Sequence, residues 1–98
     1  MIDIQAEYLE IIRGILAKHA PGAEARVFGS RVAGTSAKYS DVDIAIIGSE
    51  KLSLDVRAAL RTAFEESDLP FHVDIIDWHG VSDAFKKRIE SRHEIIKT

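Results

Sequence analysis

Residues 28–47 read Phe28-Gly29-Ser30-Arg31-Val32-Ala33-Gly34-Thr35-Ser36-Ala37-Lys38-Tyr39-Ser40-Asp41-Val42-Asp43-Ile44-Ala45-Ile46-Ile47. Gly29-Ser30 breaks a strand and starts a helical turn. After ten intervening residues Asp41 and Asp43 open a strongly apolar strand. Along that strand Val42, Ile44 and Ile46 fall on one face, and Asp41, Asp43, Ala45 and Ile47 on the other. Residues i and i+2 of a strand point the same way with Cα atoms roughly 7 Å apart, so the two carboxylates can converge on a shared ion site. A glycine lets backbone approach a phosphate closely. A serine at a helix start offers a hydroxyl and an N–H where the helix dipole favours anions. These parts suit phosphoryl transfer.

Working outward, Ile4, Tyr8, Ile11, Ile12, Ile15 and Leu16 recur on one helical face. Asp3 is a candidate cap for that helix, and Pro21-Gly22 ends it. Ala23 to Phe28 reads as a short strand, Ser30 to Gly34 as one helical turn, and Thr35 to Ser40 as loop. Beyond the Asp41–Ile47 strand, Ser53 can cap a helix carrying Val56, Ala59, Leu60, Ala63 and Phe64, which stops before Pro70. Phe71 to Asp77, FHVDIID, is a third strand. Ser82 can cap a last helix bearing Phe85 and Ile89, and the tail from His93 to Thr98 is open between helix and extended chain.

The expected class is therefore α/β (α+β): a three-stranded mixed sheet with flanking helices. A strand–helix–strand crossover makes the second and third strands parallel neighbours. The link from Ser30 to Asp43 reverses the chain, which makes the first strand antiparallel to the second. That topology gathers Gly29-Ser30, Asp41, Asp43 and the first half of the third strand at one edge. Asp74 is the candidate third carboxylate, on the face of His72 and Ile76. Asp77 lies opposite by parity and would replace it if the register slipped by one. All donors are hard oxygens, so Mg²⁺ is the natural ion. Arg31 is expected to neutralise a triphosphate, and Lys38 is a second cation in the loop.

The composition sets limits. The chain has 98 residues, 46% hydrophobic and 30% charged, which fits one folded domain, residues 1–98, rather than disorder. A net charge of −3 argues against a nucleic-acid surface spread over the whole chain. The absence of cysteine excludes disulfides and thiolate metal sites. There is no signal-peptide pattern and no apolar run of membrane-spanning length, so a cytoplasmic location without a membrane is expected. His19, His72, His79 and His93 lack ligand spacing among themselves; His72 reads as structural, with reach to the site from the third strand as the lesser reading. Trp78 reads as core rim, Tyr8 as core, and Lys86-Lys87-Arg88 as a solvated face. Ala45, Ile47 and Ile76 leave the carboxylate face partly apolar, for a nucleotide base, a partner or terminal helices.

GSRVAGTSAKYSDVDIAI resembles the signature of the polymerase-β-like nucleotidyltransferase superfamily, GS-x10-DxD, and HVDIIDW resembles its third-carboxylate strand. The likeness runs from about Tyr8 to Phe85 and is greatest to the minimal nucleotidyltransferases, which consist of the catalytic core alone. It implies Asp41, Asp43 and Asp74 as catalytic Mg²⁺ ligands of a two-ion site, and Gly29, Ser30 and Arg31 at the nucleotide. It also implies an antitoxin that transfers AMP from ATP to a hydroxyl, such as a tyrosine's, on a helical HEPN toxin, in a hetero-oligomer with it. Many relatives carry a basic residue where this chain has Ala33. A core this small has no obvious acceptor-binding domain, so a partner is expected to supply that surface. Two other readings remain: the same chemistry on a small molecule, and a non-catalytic antitoxin that neutralises its partner by binding.

Overall fold

The alternation of apolar residues in three strands leaves two faces to cover, and the helices divide that work. A computed structural model describes residues 2–34 and 40–96. Lys38, with most of the expected Thr35–Ser40 loop, lies outside them. The order is α1 (Ala6–His19), β1 (Glu24–Phe28), α2 (Ser30–Ala33), β2 (Val42–Ile47), α3 (Leu54–Glu65), β3 (Val73–Asp77), a 3-10 turn at Trp78–Gly80, α4 (Asp83–Ser91) and β4 (Glu94–Ile96).

The sheet has four strands in the order β3-β2-β1-β4. As expected, β1 and β2 are antiparallel and β2 and β3 parallel. The fourth strand corrects the three-stranded expectation. Ala25, Arg26 and Val27 pair with Ile96, Ile95 and Glu94, so the open tail is extended chain along the free edge of β1. Its three residues are too few to show a period of two. With β4 in place, β3 is left as the outer strand on the other side.

On one face Ala25, Val27, Val42, Ile44, Ile46, Val73 and Ile96 pack with Ile12 and Leu16 of α1 and Leu60 and Phe64 of α3 in one buried cluster. Ile12, Ile44, Ile46 and Leu60 are fully buried. Each such side chain contributes about 1.5–3 kcal/mol relative to an exposed one. The opposite, carboxylate-bearing face holds fully buried Ala45 and Ile89. There Phe85 of α4 meets Phe28 edge to face at 5.8 Å. The last helix thus covers part of the face that the sequence left open between ligand, partner and helix.

Helix caps follow the sequence in two cases and not in a third. Ser53 accepts from the Val56 N–H at 3.1 Å, and Ser82 from the Phe85 N–H at 3.2 Å. The first helix, however, has Gln5 rather than Asp3 at its N-cap, with no side-chain cap bond. Asp3 instead serves the chain before the helix, where its N–H donates to the Arg31 carbonyl at 2.7 Å. No helix among the described residues is long and apolar enough to cross a membrane.

Candidate active site

Gly29 sits where β1 gives way to α2, with φ +78° and ψ −150°. That region is essentially reserved for glycine. A Cβ on Gly29 would lie 2.6 Å from Asp43 Oδ2, so the glycine is required both by its backbone and by the carboxylate packed against it. The pairing that causes this is Phe28 opposite Asp43 across β1 and β2. The Gly29 carbonyl accepts from the Val32 and Ala33 N–H groups at 3.1 and 3.0 Å, which starts α2 at Ser30.

The parallel register of β2 and β3 sets Asp43 directly beside Asp74. Asp41 lies just before β2, exposed to solvent. Burial first, then the charges of Asp74 and Asp41, push the Asp43 carboxyl above its ordinary value, against a smaller opposing pull from His72. The three carboxylates therefore share one electrostatic neighbourhood. In the present rotamers they do not form a closed cage. No three histidine, aspartate or glutamate side chains among the described residues converge tightly enough to hold an ion. The Asp74 Oδ1 atom is engaged with His72 Nε2 at 3.1 Å, and both side chains are more than half exposed. The donor set nevertheless suits a hard divalent cation. All its donors are oxygens, and Asp43 carries a charge that its surroundings disfavour until a cation compensates it.

Two sequence expectations find different places. Arg31, expected against a triphosphate, is folded inward and only 6% exposed. Its guanidinium donates to the Asp3 carbonyl at 2.9 Å and to the Ser40 carbonyl at 2.8 and 3.2 Å, and lies over the Phe71 ring at 4.8 Å. It braces the chain at Ser40, next to Asp41. Asp77, the alternative third carboxylate, is buried and accepts from the Leu52 and His79 N–H groups at 3.0 and 3.1 Å. It ties the β2–α3 connection to the end of β3. His72 stands beside Asp74, as the lesser of its two sequence readings had it, by strand parity with that residue. Trp78, expected at the core rim, is half-buried apart from the main cluster, between Arg26 at 5.2 Å and Lys86 at 5.7 Å. Lys86 is thus packed rather than merely solvated.

A strand-end glycine against a carboxylate, with a second carboxylate in register on the next parallel strand, is the arrangement expected at the core of a nucleotidyltransferase. Residues 10–98 match the family model described as "Polymerase beta, Nucleotidyltransferase", and the chain belongs to that family. Within it, the chain is 43% identical over 96 residues to the probable protein adenylyltransferase MntA of Haemophilus influenzae, covering 98% of this chain and 84% of that one. Its fold is similar to a crystal structure of a toxin–antitoxin with AMP-PNP (TM-score 0.76, 24% identity, 91% of this chain and 72% of that chain). It is also similar to a tri-AMPylated Shewanella oneidensis HEPN toxin in complex with MNT antitoxin (TM-score 0.72, 21% identity, 96% and 72%).

Proposed function

We propose that this protein is an antitoxin that transfers AMP from ATP to a hydroxyl, such as a tyrosine's, on a HEPN-type toxin with which it assembles. The observation that carries the reading is the close approach of Gly29 to Asp43, a strand-end corner beside a carboxylate held in register with Asp74. The 43% identity to a protein named as an adenylyltransferase supports protein as the acceptor. The fold-level likeness to toxin–antitoxin complexes supports the partner.

In this reading Gly29 and Ser30 receive the triphosphate through backbone N–H groups and the Ser30 hydroxyl. Asp41, Asp43 and Asp74 would hold Mg²⁺, with Asp74 turning from His72 to do so. The bound ion would neutralise phosphate charge and lower the pKa of the acceptor hydroxyl. Arg31 acts at one remove, as a positioning residue that fixes Ser40 and hence the approach to Asp41. The acceptor oxygen attacks the α-phosphorus, its proton passes to solvent, the bond from that phosphorus to the bridging oxygen breaks, and pyrophosphate leaves with the electron pair. Positioning and charge compensation supply most of the acceleration.

The test combines the protein, ATP labelled on the α-phosphate, Mg²⁺ and the HEPN-type partner. The proposal predicts label on the partner, lost with a chelator. If the partner is silenced equally well without label, the non-catalytic reading replaces this one.

A further inference from the structure

The outer side of β3 carries a feature that the transfer reaction as described does not use. Arg57 and Arg61 lie one turn apart on α3 and share a small cleft with His72, Val73, Asp74 and Ile75. Its volume is about 60 Å³, room for an anion of a few heavy atoms. Neither guanidinium has an ion-pair or hydrogen-bond partner among the described residues, so both are available to a ligand.

The cleft's own lining sets two guanidinium groups against one carboxylate, Asp74, with Asp43 beside it on the next strand. Forked guanidinium donors a helical turn apart match the oxygens of a phosphate. The cleft opens beside Asp74, two strands away from the Gly29-Ser30 corner in the order β3-β2-β1. It therefore lies on the acceptor side of the carboxylates rather than on the side of the incoming triphosphate.

We propose that Arg57 and Arg61 form an acceptor-side anion site that seats the phosphate of a nucleotide already attached to the acceptor. The proposal rests on the adenylyl-transfer reading above. After one transfer, the acceptor ends in a ribose whose hydroxyls lie one nucleotide from the new phosphodiester. With that phosphodiester on Arg57 and Arg61, a ribose hydroxyl is presented beside Asp74. Its oxygen bonds to the α-phosphorus of a second ATP, the bond from that phosphorus to the β-bridging oxygen breaks, and the electron pair leaves with pyrophosphate. The hydroxyl proton passes to solvent. The two arginines are specificity-determining residues for repeated addition.

Intact-mass measurement of the HEPN-type partner, incubated with ATP and Mg²⁺, reads the ratio of multiply to singly modified product at matched extents of first addition. In Arg57→Gln/Arg61→Gln the ratio is expected to fall about tenfold or more, the scale of losing charge-assisted hydrogen bonds. Arg61→Gln alone, at an exposed position, gives a partial fall without risk to the fold, and Arg57→Lys/Arg61→Lys restores part of the ratio. AMP is expected to compete with the second addition more strongly than adenosine. An unchanged ratio in the double variant overturns the proposal, as does equal competition by AMP and adenosine. If the wild type adds only one group, the anion site is refuted while the transfer reading stands. If it adds none, the transfer reading itself fails.

Discussion

Gly29 lacks a side chain where Asp43 occupies the space that one would need. Gly29→Ala is expected to strain the backbone by about 1–3 kcal/mol and to displace the Asp43 carboxylate, with transfer falling further than stability. A melting curve and a rate measurement on the same sample separate the two effects. Asp43 yields a second prediction. Burial and the neighbouring carboxylates raise its pKa in the folded state. Its protonated form is therefore favoured by folding, and the associated stability is present at low pH and lost as pH rises through the raised value. Asp43→Asn should melt higher than the wild type at neutral pH, with the gap closing as pH falls through the carboxylate range. Mg²⁺ should raise the wild-type melting temperature at neutral pH and leave the variant nearly unchanged. Of these residues, Gly29, Asp43 and Asp74 were legible because strand parity and the interval between motifs depend on local chain geometry alone. Arg31 was not. Its direction is set by Asp3, Ser40 and Phe71, which meet it only in the folded chain.

At the level of elements, β3 separates two aspartates by their parity. Asp74 stands beside Asp43, and Asp77 anchors Leu52 and His79. Asp77→Ala is expected to lower stability by about 1–3 kcal/mol, because two N–H groups lose their acceptor, as checked by chemical denaturation. The caps at Ser53 and Ser82 could be read from single residues ahead of apolar periods. The Gln5 boundary could not, since Asp3 and Gln5 both precede the same periodic run and a contact with Arg31 decides between them. The strand at Glu94–Ile96 was equally hidden, since it is defined by the free edge of β1 rather than by its own pattern.

Across the whole molecule, one sheet serves two purposes. One face supplies the main cluster with α1 and α3. The other carries Asp43 and Asp74 at one end and α4 beside them, so these two carboxylates stand on rigid strands, while Asp41 and Gly29 lie at the chain just outside β2 and β1. Ile44→Ala, in the main cluster, is expected to destabilise by about 2–5 kcal/mol in a denaturant titration, whereas Asp74→Asn should leave the fold intact. The most direct test is the intact mass of the proposed HEPN-type partner after incubation with ATP, Mg²⁺ and either the wild-type protein or Asp43→Asn. The account predicts a partner heavier by adenylyl groups with the wild type, and an unmodified one with a folded variant, a loss of about 10²-fold or more. Equal modification by both proteins would contradict it.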